Sequence, residues 1–325
     1  MSAFVVAVSI LFITVAWTPL GAQPTVTIGT WNLAGNNVPD LTENLLRQQA
    51  RGIALFKPDV LVLAEVDSPC AIYQLADILR EQEQLAYQAH IIDQPQTNID
   101  IGIPFTQGVQ IGTTGLIAGV DLGVDNLRQA YWADVRIGQF DFRVIGVHLK
   151  SGGGEGVALR VAQAHIIADF LRVFLHFAPE RDVLVLGDYN MFPKRDPEAF
   201  TALGTDGYLR FISSEVLCSG PQLQQCTGTH IQRSGPNARV GNLLDGFAIA
   251  SAHTSEYQSD LRRVDLPQMM GLSLGDYKKN VTDHYPLVAT FRATQDDDGQ
   301  LSAPVTPPAT AAPQLRRPLV CQESQ

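Results

Sequence analysis

The stretch Asp182-Val183-Leu184-Val185-Leu186-Gly187-Asp188-Tyr189-Asn190 decides how the rest of the sequence is read. Its unbroken run of valine and leucine suits a strand buried on both faces. Gly187 ends the run, and Asp188 and Asn190 follow at i and i+2. In extended geometry, side chains two apart point to the same side. The spacing therefore predicts that both stand together at the carboxyl end of a core strand, where open α/β sheets place their ligands. A turn Asp and a turn Asn at an ordinary strand exit would account for the same residues more blandly.

The pattern recurs along the chain. A β-rich run over 26–31 stops at Asn32, and a buried-strand run over 59–64 stops at Glu65. A hairpin over 130–137 and 140–147, turning at Gly138-Gln139, ends in His148-Leu149-Lys150. The strand over 243–250 carries Asp245, and the last strand, 285–291, is introduced by Asp283-His284. Helical apolar spacing covers 41–56, 71–84 and 155–177, while glycine and proline break 87–120 into short strands and turns. Residues 205–242 are irregular and read as a substrate-facing insertion. Turn preference alone does not explain strand after strand ending in Asn, Asp, Glu or His.

A chain of 325 residues is long enough for one large α/β domain or two ordinary ones. With 45% hydrophobic and 17% charged residues its composition is that of a globular protein. A net charge of -10 argues against chain-wide attraction to nucleic acid but suits acidic clusters that bind a divalent cation. Residues 1–22 are uncharged and end in Pro19-Leu20-Gly21-Ala22. They read as a secretory signal peptide without the usual basic start, too short in its apolar run for a membrane anchor. A secreted or periplasmic protein with no stable membrane span after processing is expected. The cysteines fit export: Cys218 and Cys226 bracket a short polar segment as a disulfide would, whereas a Cys70–Cys321 pairing stays open.

Carboxylates, asparagines and histidines, with no serine or cysteine nucleophile in a recognisable setting, point away from covalent acyl chemistry. Asp and Glu oxygens suit Mg²⁺ or Mn²⁺, with Ca²⁺ the remaining candidate; zinc ranks lower because neither His148 nor His284 has a second histidine at ligand spacing. The residue types suggest metal-assisted hydrolysis of a phosphate ester.

Thr30-Trp31-Asn32, Glu65, Val147-His148-Leu149-Lys150-Ser151, Gly187-Asp188-Tyr189-Asn190, Leu244-Asp245 and Thr282-Asp283-His284 occur in that order. The ordered set resembles the motifs of the endonuclease/exonuclease/phosphatase superfamily, the pancreatic-deoxyribonuclease-like fold, over roughly residues 26–291. The resemblance implies a four-layer α/β sandwich, two mixed β-sheets face to face with helices outside, in a catalytic domain over 23–294. A Pro/Ala/Thr-rich disordered tail, 295–325, would follow.

By the same resemblance, Glu65 is the principal metal ligand with Asn32 beside it, and Asp283 a second metal or network ligand. Asp188 orients or deprotonates water, and Asn190 contacts the transition-state phosphate. His148 binds phosphate, and His284, supported by Asp245, sits on the scissile group. Lys150 and Arg128 are candidate substrate contacts. Further basic candidates for nucleic acid are Arg160, Arg233, Arg239 and Lys278-Lys279, a scattered set. Asn280-Val281-Thr282 matches a glycosylation acceptor, but it abuts Asp283-His284 and reads as chance.

The leading expectation is a monomeric extracellular endonuclease on DNA or RNA. A phosphodiesterase or phosphatase on a lipid or inositol phosphate, sphingomyelinase-like, is the alternative. It would need an exposed apolar hairpin, for which Phe211, Ile212 and Leu217 are the candidates. A non-catalytic binding protein of the same fold comes last.

Overall fold

The computed structural model describes residues 25–34, 43–94, 99–220, 223 and 225–299. The expected signal peptide, the loop after Ala34 and the tail from residue 300, with Cys321, lie outside them. The chain begins β1 (Thr25–Asn32), α1 (Glu43–Phe56), β2 (Val60–Val66), α2 (Pro69–Glu81), β3 (Tyr87–Ile91), β4 (Asp100–Thr106) and β5 (Val109–Ile117). The hairpin β6 (Ala130–Ile137) and β7 (Phe140–His148) leads through α3 (Glu155–Phe177) to β8 (Val183–Asp188). Then come α4 (Pro197–Leu203), β9 (Leu209–Arg210), α5 (Ile212–Leu217), β10 (Cys218–Ser219), β11 (Gln225–Cys226), β12 (Ile231–Gln232) and β13 (Arg239–Val240). The chain closes with β14 (Asp245–Ala250), β15 (Arg262–Arg263), α6 (Leu266–Met270), α7 (Leu274–Asn280) and β16 (Leu287–Arg292).

Two six-stranded mixed sheets form, in the orders β15-β16-β1-β2-β4-β3 and β5-β6-β7-β8-β14-β9. Each contains a single parallel pair, β1–β2 and β7–β8, and each pair is joined by a crossover helix, α1 or α3. The four-layer sandwich expected from the sequence is what folds. Alternation along the strands explains the layers. Val26, Ile28, Val60 and Val62 of the first sheet meet Phe142, Val144, Leu184, Leu186, Phe247 and Ile249 of the second in a shared inner core. The opposite parity, Trp31, Leu61 and Leu63, packs under α1 and α2, while Ile145, Val147, Val183 and Val185 pack under α3 and α4.

Strand parity also positions the site. Asn32, His148, Asp188 and Asp245 fall on the inner-facing register of their strands, two residues at a time from core side chains. Glu65 does not: simple alternation would turn it outward with Leu61 and Leu63. A bulge corrects this. Between Leu63 and Val66 the β2–β4 register shifts, three steps against the two from Gly102 to Asp100, and Glu65 takes a left-handed φ of 57°. Val66 then rejoins the outer core, and Glu65 is left facing inward.

Gly187 is required by its place. Its φ is 143°, and a Cβ there would lie 2.0 Å from the Val147 carbonyl oxygen of the parallel neighbour. Gly246 similarly makes room for the Tyr189 ring, which a Cβ would meet at 2.3 Å.

Two expectations change and one is met. The insertion over 205–242 is only partly substrate-facing: Ile212 is fully buried in the inner core and Phe211 packs against Tyr189 and Phe200. Cys218 and Cys226 form the expected disulfide as register partners of β10 and β11. The assigned tail starts too early, because Gly299 N–H donates to the Pro179 carbonyl and Asp298 accepts from the Arg181 N–H. The short helices α4 to α7 had no clear periodic signal, being under two turns long or nearly so. Among the described residues, no helix is long and apolar enough to cross a membrane.

Candidate active site

The carboxyl ends of β1, β2, β7 and β8 converge with the start of β14 and the loop before β16. A cleft of about 480 Å³ opens there, lined by Glu65, Arg128, His148, Lys150, Asp188, Asn190, His230, Asp283 and His284. Asn32 and Asp245 sit behind this lining, each essentially fully buried. Every site residue expected from the sequence is therefore in or directly behind one cleft.

Asn32 donates its amide to Glu65 Oε1 at 3.0 Å and to Asp188 Oδ2 at 2.9 Å. Its oxygen accepts the Ala34 N–H at 2.8 Å, which fixes the amide orientation. Without a cation, the Asn32 oxygen accepts from backbone and its amide aligns the two carboxylates. Glu65, His148 and Asp188 offer one ligand atom each within 4.8 Å of one another. This oxygen-rich set, with an aromatic nitrogen, fits a hard divalent cation such as Mg²⁺ or Mn²⁺.

Arg128 packs against His148. It is buried, donates Nε to the His148 carbonyl at 3.3 Å, and places Nη2 3.1 Å from His148 Nε2. A guanidinium can only donate, so His148 Nε2 must be unprotonated there, with the proton on Nδ1. The electrostatics agree: burial first, then Arg128 and His284, hold His148 well below the usual histidine pKa. Its Nε2, engaged by Arg128, lies 3.5 Å from Glu65 Oε1 and 3.6 Å from Asp188 Oδ2. Burial raises the Asp188 pKa, assisted by Asp245 and Glu65 and opposed by His284. The Asp188 shift is that of a buried carboxylate in want of positive charge.

His284 is the opposite case. Its Nδ1 is 2.8 Å from Asp245 Oδ2. Burial works against its charge, but Asp245, then Asp188 and Asp283, outweigh burial and push the imidazole up to about 10. It is an imidazolium at neutral pH, with Nε2 on the cleft side. Its backbone is clamped: the carbonyl accepts from Trp31 Nε1 and Tyr277 Oη, each at 3.0 Å. Thr282 Oγ1 accepts the His284 N–H and donates to the Asn32 carbonyl, tying this loop to β1. That commitment leaves Thr282 buried beside the site.

Asp283 does not join Glu65. It pairs with Lys278 at 3.1 Å and His230 at 3.5 Å, forming with His284 a separate cluster. Burial would raise its pKa, but the His230 hydrogen bond and the charges of His284, His230 and Lys278 hold it well below the usual carboxylate range. It is a network residue rather than a ligand of the Glu65 group. His230 was missed in the sequence because it lies in an irregular segment with no strand end to flag it. Backbone bonds from Ile231 N–H to the Asp283 carbonyl and from Tyr285 N–H to the Thr229 carbonyl bring it beside His284.

Asn190 adopts φ 50°, and its N–H donates to Asp188 Oδ1 at 2.9 Å while its amide donates to the Leu149 carbonyl at 3.1 Å. Arg195 donates to the Asn190 carbonyl and also pairs with Asp196. Arg160 is not a phosphate contact: it is fully buried, paired with Asp196, and donates to the Lys150 and Gly152 carbonyls. An arginine on the apolar face of a long amphipathic helix was the signal of that role. The Lys150 ammonium forms no ion pair among the described residues and faces the cleft.

Fold and site together place the chain in a class: it has the fold of the endonuclease/exonuclease/phosphatase proteins. No family model matches the sequence, and no curated protein matches it. Among solved structures it is similar to D. rerio TDP2 complexed with single strand DNA product, at 20% identity and TM-score 0.60, over 83% of this chain and 100% of that one. It is also similar to the human Nocturnin catalytic domain with bound sulfate anion, at 19% identity and TM-score 0.59, over 82% and 93%. The 3' phosphatase NExo from Neisseria, bound to a product DNA hairpin, aligns at 20% identity and TM-score 0.56, over 82% and 99%.

Proposed function

We propose that this protein is a metal-dependent phosphodiester hydrolase acting on nucleic acid, most simply as an exported, monomeric endonuclease. The observation that carries the reading is the pairing of opposites across one cleft: Glu65, Asp188 and neutral His148 on one side, and the Asp245-backed His284 imidazolium on the other. Of the three solved structures named above, two hold a DNA product and one a sulfate, which supports a phosphate-bearing ligand.

Glu65 and Asp188 would hold the cation, with neutral His148 beside them. Bound there, it supplies neutralisation of phosphoryl charge and a lowered pKa for water. Asp188 accepts the proton of the attacking water. Asn32 keeps its carboxylate aligned with Glu65. His284 Nε2 donates to a phosphoryl oxygen as charge develops, and Asp245 keeps it charged and oriented. Arg128 and Lys150 add positive charge at the cleft wall, and Asn190 is held on the same side by Arg195.

A polymer substrate is favoured by a second cleft of about 1,100 Å³ that shares Asp283 with the first and includes Lys278 and Lys279. The lipid alternative loses its main support, since Ile212 is in the core and Phe211 packs against Tyr189 and Phe200. The disulfide supports an oxidising compartment. The test incubates the protein and its Asp188→Ala variant with supercoiled plasmid, RNA, sphingomyelin and inositol phosphates, with Mg²⁺ or Mn²⁺ and with EDTA. Plasmid or RNA cleavage lost in both controls is the expected result. Phosphate or phosphocholine release with nucleic acid intact would refute the nuclease reading.

A further inference from the structure

At the other end of β8 from Asp188, a second group of carboxylates gathers with no role in the cleft. Glu180 and Asp182 precede β8, Glu256 follows β14, and Asp296, Asp297 and Asp298 come after β16. Their ligand atoms form two overlapping sets, Glu180–Asp182–Asp296–Asp298 and Asp182–Glu256–Asp296–Asp297, each within 4.8 Å. Six strand residues separate Asp182 from the end of β8, a distance of roughly 20 Å.

Acidic surface clusters are ordinary; this one is rooted in three wholly buried carboxylates. Glu180, Asp182 and Glu256 are each 0% exposed. Glu180 Oε2, both Asp182 oxygens, Glu256 Oε2, both Asp296 oxygens and Asp298 Oδ1 are buried without a hydrogen-bond donor. The Thr254 hydroxyl lies near enough to Asp182 to ease its charge, but not in hydrogen-bonding geometry. No Lys or Arg among the described residues forms an ion pair with any of the six. Burying unpaired carboxylates costs several kcal/mol each, so such a group persists either protonated or with a cation.

We propose that these carboxylates form a calcium centre, holding two Ca²⁺ ions bridged by Asp182 and Asp296. The donors are all oxygens, with no histidine or cysteine, which disfavours zinc. So many protein carboxylates in one place suit Ca²⁺, which takes six to eight oxygens, better than Mg²⁺, which keeps most of its waters. Burial, reinforced by Glu256, Asp298 and Asp296, pushes Asp182 up to about 9 without a cation, and burial raises Glu180 and Glu256 as well. The centre would fasten residues 296–299 to the Pro179–Asp182 approach to β8, where Asp298 already accepts the Arg181 N–H at 2.9 Å and Ser255 donates to Asp297 at 2.6 Å.

The test uses the full chain stripped with EDTA, titrated with CaCl₂ by calorimetry and followed by thermal denaturation. Calcium at a hundredfold excess over its dissociation constant should raise Tm by roughly 5–10 °C. Glu65→Gln should keep that rise, since the active-site cleft is not involved. Asp182→Asn should abolish it and, by removing one repelling charge, melt higher than the parent in EDTA. Asp298→Asn, on the partly exposed segment, should weaken calcium binding at least about tenfold. A calcium rise preserved in Asp182→Asn, a rise lost in Glu65→Gln, or no calcium response at all would each overturn the proposal.

Discussion

Replacing Asp245 by asparagine keeps the shape behind His284 and removes the charge. Asp245 Oδ2 lies 2.8 Å from His284 Nδ1 and is the main influence raising that imidazole to about 10 against burial. A raised pKa means the imidazolium persists as pH rises and is lost only through the alkaline range. Without the aspartate charge, burial prevails, and the pKa should fall to the ordinary 6.5 or lower. At pH 7.5 a histidine of pKa 6.5 is only about one-tenth protonated, against nearly all at pKa 10. Protonation alone therefore costs about tenfold in kcat/KM. Loss of orientation should bring the total to about 10²–10³. The assay is kcat/KM on bis(p-nitrophenyl) phosphate and on a single-stranded oligonucleotide, from roughly pH 5.5 to 9.5 at fixed free Mg²⁺. The alkaline limb should move down by at least about two units, and the deficit should narrow near pH 6. A uniform loss with the limb unmoved would refute the assignment of His284 as the charged donor.

Gly187→Ala should destabilise the fold by about 3–5 kcal/mol in urea denaturation, because its Cβ has nowhere to go beside Val147; a change under about 1 kcal/mol would contradict the close approach. Glu65→Gln should weaken Mn²⁺ binding, read by electron paramagnetic resonance, by about tenfold to a hundredfold and cut activity by about 10³, with EDTA abolishing parent activity. Wild-type Mn²⁺ affinity in that variant would place the cation elsewhere. Arg128→Met should raise the His148 pKa from its depressed position while burial still holds it below 6.5, as followed by ¹⁵N NMR. An unmoved pKa would mean the Arg128 contact carries no electrostatic weight.

The sandwich was legible because its central strands carry uninterrupted aliphatic runs and stop at polar residues, and α3 falls where its apolar spacing ends. Asn32, His148, Asp188 and Asp245 were readable for the same reason: strand parity sends them inward with the core. Glu65 was placed correctly, yet its direction depends on a bulge that alternation does not encode. The amide bonds from Asn32 to Glu65 and Asp188 were not legible, because only the Ala34 N–H fixes which end of the amide faces the carboxylates. His230 and the Arg160–Asp196–Arg195 chain were hidden because each depends on contacts between segments distant in sequence. The short helices α4 to α7 bury too few residues to leave a period.

Strand β8 lies between a parallel and an antiparallel neighbour, and all of its residues are buried. Its amides have no edge from which to open locally, so their hydrogens should exchange with solvent only when the whole molecule unfolds. Asp188 is thus carried by a strand paired on both sides along its length. A denaturant cannot loosen the water-activating carboxylate ahead of the fold, and the inactivation curve should superimpose on the unfolding curve rather than precede it.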